Sequence, residues 1–189
     1  MSHTPDEITL HTERLLLRPW RREDRAPFAA LNADPRVMEW FLAPLNTTES
    51  DTFVDRIEEH FRVHGWGLWA VEVAGADAFI GFVGLNPADT TLGYPSVEIG
   101  WRLAAAHWGH GYAPEGALAA LQFAFGQLGL DEIVSFTSVG NEKSRRVMTK
   151  VGMTRNPEDD FDHPRVPATS PLSRHVLYRI SAEAFSERD

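Results

Sequence analysis

Apolar positions along the chain change period several times, and each change marks an element. Residues 13–20, with Leu15, Leu16 and Leu17 at their centre, read as a strand that stops at Pro19. Residues 23–32 read as a short helix, with Phe28 and Leu31 on one face. Thr48-Glu49-Ser50-Asp51 has the form of a capping box. It opens a helix that carries Phe53, Ile57 and Phe61 at helical spacing and ends near Gly65. Residues 68–73 and 79–85 read as the two strands of a hairpin across Ala74-Gly75-Ala76-Asp77. Val97, Ile99, Trp101 and Leu103 then alternate with Glu98, Gly100 and Arg102, which is the strand period.

The spacing next predicts a long helix over 113–128, closed by Gly129. A strand over 133–139 follows. Asn141 then caps a short helix that runs to about Val151 and ends at Gly152. Residues 156–170, rich in Pro, Asp and Asn, read as a loop, and residues 174–180 as the last strand. The order is one α/β domain across residues 1–189, with its core at about 10–180 and a mixed sheet.

Composition narrows the class. The 189 residues are 43% apolar and 24% charged, with 18 Lys and Arg against 27 Asp and Glu, a net charge of −9. A chain this long buries roughly 70% of its unfolded surface and needs no disulfide or metal staple. The acidic balance argues against direct nucleic-acid binding, which takes a basic surface. The absence of cysteine excludes a disulfide scaffold, a thiolate zinc site, an iron–sulfur cluster and a Cys nucleophile. The N-terminus is polar and acidic, unlike a secretory leader. No apolar run reaches the about 18 residues that span a bilayer. The expectation is a cytoplasmic protein with no membrane partner, monomeric or homodimeric.

Candidate chemistry concentrates in Trp108-Gly109-His110-Gly111-Tyr112-Ala113, between a strand and a helix. Glycines let a backbone approach a ligand closely. A helix start adds free N–H groups and the positive end of a dipole, which suits phosphate or pyrophosphate. The plainer alternative is a turn that needs glycine. The Walker A pattern is absent, and Pro114 stands where a dinucleotide fingerprint needs its third glycine.

Val97-Glu98-Ile99-Gly100-Trp101-Arg102-Leu103, followed by Trp108 to Glu115, resembles motif A of the GNAT superfamily of N-acetyltransferases. Asn141-Glu142-Lys143-Ser144, continuing to Val151-Gly152-Met153, resembles their motif B. The Trp-Gly-x-Gly-Tyr-Ala form and the opening Glu13-Arg14-Leu15-Leu16-Leu17-Arg18 are similar to the branch of ribosomal-protein N-terminal acetyltransferases, the RimJ/RimL type. The resemblance covers residues 10–180. It implies a mostly antiparallel sheet in which two parallel strands, through Trp101 and Phe136, splay apart to admit acetyl-CoA. It implies no metal. It assigns cofactor contacts to Trp101, Arg102 and Leu103 along the pantetheine arm, to Trp108, Gly109, His110, Gly111, Tyr112 and Ala113 at the pyrophosphate, and to Asn141 and Ser144.

Direct transfer to an amine needs a base, and a donor to the leaving sulfur. Glu98 is the first candidate base, because a carboxylate on a central strand is costly unless used or paired. His163 and His175 are alternatives. Many members of the family carry a Tyr donor seven residues after the Asn. Met148 stands there, and a thioether cannot donate a proton. That leaves Ser144 as the hydroxyl on the same helix, against the plainer alternative of a surface Ser. Asp160, Asp162 and His163 match no closed zinc spacing, and the acidic loop reads as solvated or as a contact for a cationic substrate. The resemblance implies that the loop carrying Trp40-Phe41-Leu42-Ala43-Pro44 lines the acceptor site. The acceptor is then a primary amine, on a basic protein N-terminus or on a small molecule such as an aminoglycoside or polyamine. A non-catalytic acyl-CoA-binding module is the competing class.

Overall fold

The computed structural model describes residues 8–76 and 78–188. Strands β1 (Leu10–His11) and β2 (Leu15–Arg18) are followed by helices α1 (Arg25–Ala33) and α2 (Thr47–His64). Next come β3 (Leu68–Val73), β4 (Ala78–Pro87), a one-turn helix α3 (Asp89–Leu92), β5 (Val97–Leu103) and α4 (Tyr112–Gly126). The remainder is β6 (Glu132–Ser138), α5 (Glu142–Lys150), β7 (Thr154–Arg155), β8 (Phe161–Asp162), β9 (Arg174–Ser181) and α6 (Ala182–Ser186).

Local chemistry sets the boundaries, in places differently from the expectation. The capping box of α2 is Asn46 and Glu49, not Thr48 and Asp51. Asn46 Oδ1 accepts from the Glu49 N–H at 3.0 Å, and Glu49 Oε2 accepts from the Asn46 N–H at 2.8 Å. Asn is among the best N-caps, so the helix starts earlier. Gly65 ends it with φ of 77°. Helix α4 stops at Gly126, short of 128. Leu128 N–H reaches back to Phe123 and Leu130 N–H to Ala124, wider turns that unwind it before left-handed Gly129. The segment read as one loop over 156–170 contains β8, which pairs with β9 at Phe161 and His175.

The sheet runs β1-β2-β3-β4-β5-β6-β9-β7, with β8 beside β9. Every neighbouring pair is antiparallel except β5 and β6. These two are parallel and paired in register only at Glu98 and Val134. Beyond that pair they diverge, so β1 to β5 and β6 to β9 form two ladders joined at one point. Residues of β4 show the two faces: the Phe82 ring meets Phe28 and Phe53 of α1 and α2, whereas Val83 packs under Gly116 of α4. Gly84 lets β3 and β4 close, since a Cβ there would lie 2.2 Å from the Gly67 carbonyl oxygen.

Beneath β2 and β3 a buried ion network ties the N-terminal half together. Arg18 Nη1 and Nη2 donate to Asp24 at 2.7 and 2.9 Å, and its Nε donates to Glu72. Among the described residues no helix is long and apolar enough to cross a membrane.

Candidate active site

Strand β5 organises the site. Its peptide groups alternate in direction. Those of Glu98, Gly100 and Arg102 face β4, and those of Ile99, Trp101 and Leu103 face the gap to β6. Two of the gap-facing carbonyls are used: Ile99 O accepts from Ser135 Oγ at 2.8 Å and Leu103 O from the Trp108 indole at 2.8 Å. The Trp101 peptide remains as an open strand edge. A cavity of about 1060 Å³ fills the space where β5 and β6 part.

At one end of this cavity lies the glycine loop. Gly109 and Gly111 both have φ of 81°, a region that L side chains avoid. Gly111 leads into α4 without a side-chain cap, and Pro114 carries no N–H. As a result the consecutive N–H groups from Gly109 to Ala113 meet no acceptor among the described residues. The loop is braced from below. Glu115 accepts from Thr12 Oγ1 at 2.6 Å and from Arg14 Nε at 2.7 Å, and Arg14 Nη1 donates to the His110 carbonyl at 3.0 Å. The Lys143 ammonium of α5 lies 4.3 Å from the Trp108 ring centroid, across the gap.

Helix α5 presents Asn141, Ser144 and Val147 to the cavity. The Asn141 amide is held at both ends: its Oδ1 accepts from the Ser144 N–H at 3.2 Å and its Nδ2 donates to Thr137 at 3.0 Å. Met148 points into the core at 1% exposure. The position aligned with the family's tyrosine is therefore packed among apolar side chains, and Ser144 is the α5 hydroxyl that faces the cavity.

Glu98 lines the middle of the cavity. It is enclosed by protein on most sides, and burial pushes its carboxyl up to about 8, against the opposing pull of Arg165. Beyond it the His163 and His175 rings stand 4.8 Å apart beside Phe136 and Phe161. Burial first, then His175 and Arg165, hold His163 down at about 4, and burial lowers His175. On the other side Arg102 lies under Phe41, Phe53 and Phe82. Trp40 crosses the gap to the β6–α5 turn, where a Cβ on Gly140 would sit 2.6 Å from its ring.

The residues singled out from sequence thus share one cavity, with two exceptions in detail. His110 does not line it; its ring stacks on Tyr112 at 5.4 Å. Arg102 lines it with its side chain on the α1–α2 face, while its backbone pairs with β4. The three aspartates of the acidic loop are taken up by arginines: Asp160 by Arg155, Asp162 by Arg174 and Asp159 by Arg179. Sequence reading missed the Thr12–Arg14–Glu115 brace, Arg165 and the contact of Trp40 with Gly140. Arg14 and Glu115 both lie in the quoted motifs, but a pairing 101 residues apart leaves no local signal.

A family model described as "Acetyltransferase (GNAT) domain" matches residues 14–154. Among curated proteins, the "FsC-acetyl coenzyme A-N(2)-transacetylase" of Aspergillus fumigatus is 34% identical over 93% of this chain and 77% of its own length. An acetyltransferase of the GNAT family from Bacillus anthracis superimposes with a TM-score of 0.79 over 93% of this chain and 99% of that one, at 24% identity. Mycobacterium smegmatis RimJ in complex with CoA-disulfide has the same fold, with a TM-score of 0.71 over 94% of this chain and 88% of that one, at 20% identity. The match to the family model and the curated relative agree with the splayed sheet and the glycine loop: this chain belongs to the GNAT family of acetyltransferases and is an N-acetyltransferase.

Proposed function

We propose that this enzyme transfers acetyl from acetyl-CoA directly to a primary amine, with Glu98 as the base. The observation that carries the reading is the place of Glu98, on the cavity wall at the last point where β5 and β6 still pair. The rest of the cavity fits CoA. Free N–H groups over 109–113 and the start of α4 suit a pyrophosphate. The open Trp101 peptide offers strand-like pairing to the amides of a pantetheine arm. Lys143 and Lys150 add positive charge from α5. The name of the Aspergillus relative, an N(2)-transacetylase, supports a nitrogen acceptor.

Acetyl-CoA supplies an activated acyl carbon and a thiol leaving group that ionises near pH 8.5. The side chains have three tasks. Glu98, once ionised, accepts the proton that the amine must lose. Ser144 Oγ donates a hydrogen bond toward the sulfur side of the cavity. The apolar walls of the cavity limit water at the reacting centre. Because the Glu98 carboxyl titrates at about 8, the fraction in basic form rises across that pH, and kcat/KM rises with it. A second reading rests on His163 and His175, whose lowered values keep both rings neutral and able to accept a proton at pH 7.

An acceptor screen for CoA release tests the activity, with amino acids, polyamines, aminoglycosides and basic peptides in parallel. Glu98→Gln is expected to lower kcat by about 10²–10⁴-fold while acetyl-CoA affinity stays. A loss of only a few-fold moves the base to the histidine pair.

A further inference from the structure

Two arginines, Arg18 buried and Arg102 half-buried, are treated in opposite ways by this fold. Arg18 is gripped by Asp24 and Glu72, which raise its pKa, although burial, the largest single influence, acts to lower it. Arg102 has no carboxylate within 4.0 Å among the described residues. Its Nη1 donates to Asn32 Oδ1 at 2.7 Å. Its Nε is buried and meets no acceptor, and its Nη2 makes no hydrogen bond among the described residues. Phe41 lies 4.2 Å from its guanidinium carbon, and Phe53 and Phe82 lie at 5.4 and 5.5 Å. Burial pulls this guanidinium down to about 10, so it still carries its charge at neutral pH.

The free edge is the one that matters. A guanidinium offers two N–H groups in a fork that matches a carboxylate, and Asn32 occupies only the Nη1 corner. The Nε–Nη2 edge is the side-on fork. Nε itself is closed off by protein, so Nη2 is the corner that a ligand anion can reach from the cavity. The surrounding charge points the same way. Arg56 and Arg165 also line the cavity, and neither makes an ion pair among the described residues. Glu98, which feels Arg165, is mostly protonated at pH 7. Glu39 and Glu49 also line the cavity, yet basic side chains outnumber acidic ones around it in a chain whose net charge is −9.

We propose that the acceptor of this enzyme carries a carboxylate as well as its amine, and that Nη2 of Arg102, beneath Phe41, binds that carboxylate. The proposal rests on the N-acetyltransferase reading of the cavity. It names a substrate class, an amino-acid-like amine, and disfavours polycationic acceptors such as polyamines and aminoglycosides.

The test compares matched acceptors at saturating acetyl-CoA: free amino acids against their carboxamides, and short peptides with Asp in second place against the same peptides with Asn. A carboxamide has the less basic amine, so any bias from amine ionisation runs against the expected result. Wild type is expected to prefer the carboxylate by about 10–10²-fold in kcat/KM, in the range of a charged hydrogen-bonded pair. The free amino acids and the peptides separate a small-molecule source of the carboxylate from a peptide source. Arg102→Met, which keeps an apolar chain against the three rings and removes the charge, is expected to bring the ratio near one, and Arg102→Lys, which keeps the charge, is expected to fall between that value and wild type. Retained acetyl-CoA thermal stabilisation shows that both variants fold. Equal or reversed preference in wild type overturns the proposal, as does an unchanged ratio in both variants. A proportional fall with both acceptor types, the ratio preserved, overturns it too and gives Arg102 a supporting role only. If carboxamides are acetylated and carboxylates are not, this inference fails alone. If acetyl-CoA neither binds nor is turned over with any amine, the enzyme reading fails with it.

Discussion

Glu98→Gln has a thermodynamic consequence separate from its effect on rate. In the unfolded chain a Glu loses its proton near 4.5, whereas in the fold Glu98 holds its proton to about 8. Between those values the folded state binds one more proton than the unfolded state, so stability falls as pH rises. Below the window both states are protonated and the effect is absent. Above it the fold holds an ionised carboxylate at full cost. Each unit is worth about 1.4 kcal/mol, so the penalty above pH 8 is on the order of 3–5 kcal/mol. The glutamine variant has nearly the same shape and no proton to lose. Thermal melts followed by circular dichroism, from pH 5 to pH 9, should show the two proteins nearly alike at pH 5. The variant should then pull ahead, reaching roughly 6–20 °C higher Tm at pH 9 for a chain of this size. Its activity should be lost over the same range. Melting curves that stay parallel across the whole series would refute the desolvated carboxyl, and with it the pH dependence derived for the rate.

Three further outcomes follow from particular contacts. Gly100 faces the cavity between Glu98 and Arg102, and a Cβ there meets nothing within 4 Å. Gly100→Val should therefore fold with Tm within a few degrees of wild type while raising acceptor KM at least about tenfold; a normal KM would place the acceptor elsewhere. Ser144→Ala should lower turnover by about 10–10²-fold where chemistry is rate-limiting, and equal turnover would leave the leaving sulfur to solvent. Arg18→Met strands Asp24 without its cation, leaves Glu72 only the longer contact with Arg21, and should cost about 3–5 kcal/mol in urea denaturation, with a loss below 1 kcal/mol contradicting the buried network.

The alternation over 97–103 and the Asn141–Gly152 segment were legible because local period and capping determine them. The geometry of the glycine loop was legible because its positive φ angles and uncapped helix start depend on glycine and backbone alone. Boundaries slipped where two local signals competed. Asn46 outbid Thr48 as a cap, and the end of α4 unwound into wide turns before Gly129 could stop it. The acidic loop was legible as polar but not as ion-paired, since its arginine partners lie on β7 and β9. Arg102 was hardest to read. Its motif position suggested the cofactor side, yet strand alternation turns its side chain the other way, toward aromatics that come from α2, β4 and the loop after α1. The Met148 departure was visible as a missing hydroxyl, but only packing shows that the position faces inward.

The split between the two ladders has a mechanical side. In a continuous sheet, hydrogen bonds carry load from strand to strand and keep distant strands at a fixed twist. Here that transmission narrows to the pairing at Glu98 and Val134 and the Ser135–Ile99 hydrogen bond. Each half keeps its own unbroken ladder, so a small change in angle between the halves breaks no strand pairing within either. The softest line through the sheet coincides with the line along which the chemistry is proposed. A chain of amide groups lying in that gap acts as a removable strand. It stiffens the sheet while it is present and returns compliance when it leaves, so amide-exchange protection along β5 and β6 becomes a readout of occupancy on both sides of the seam.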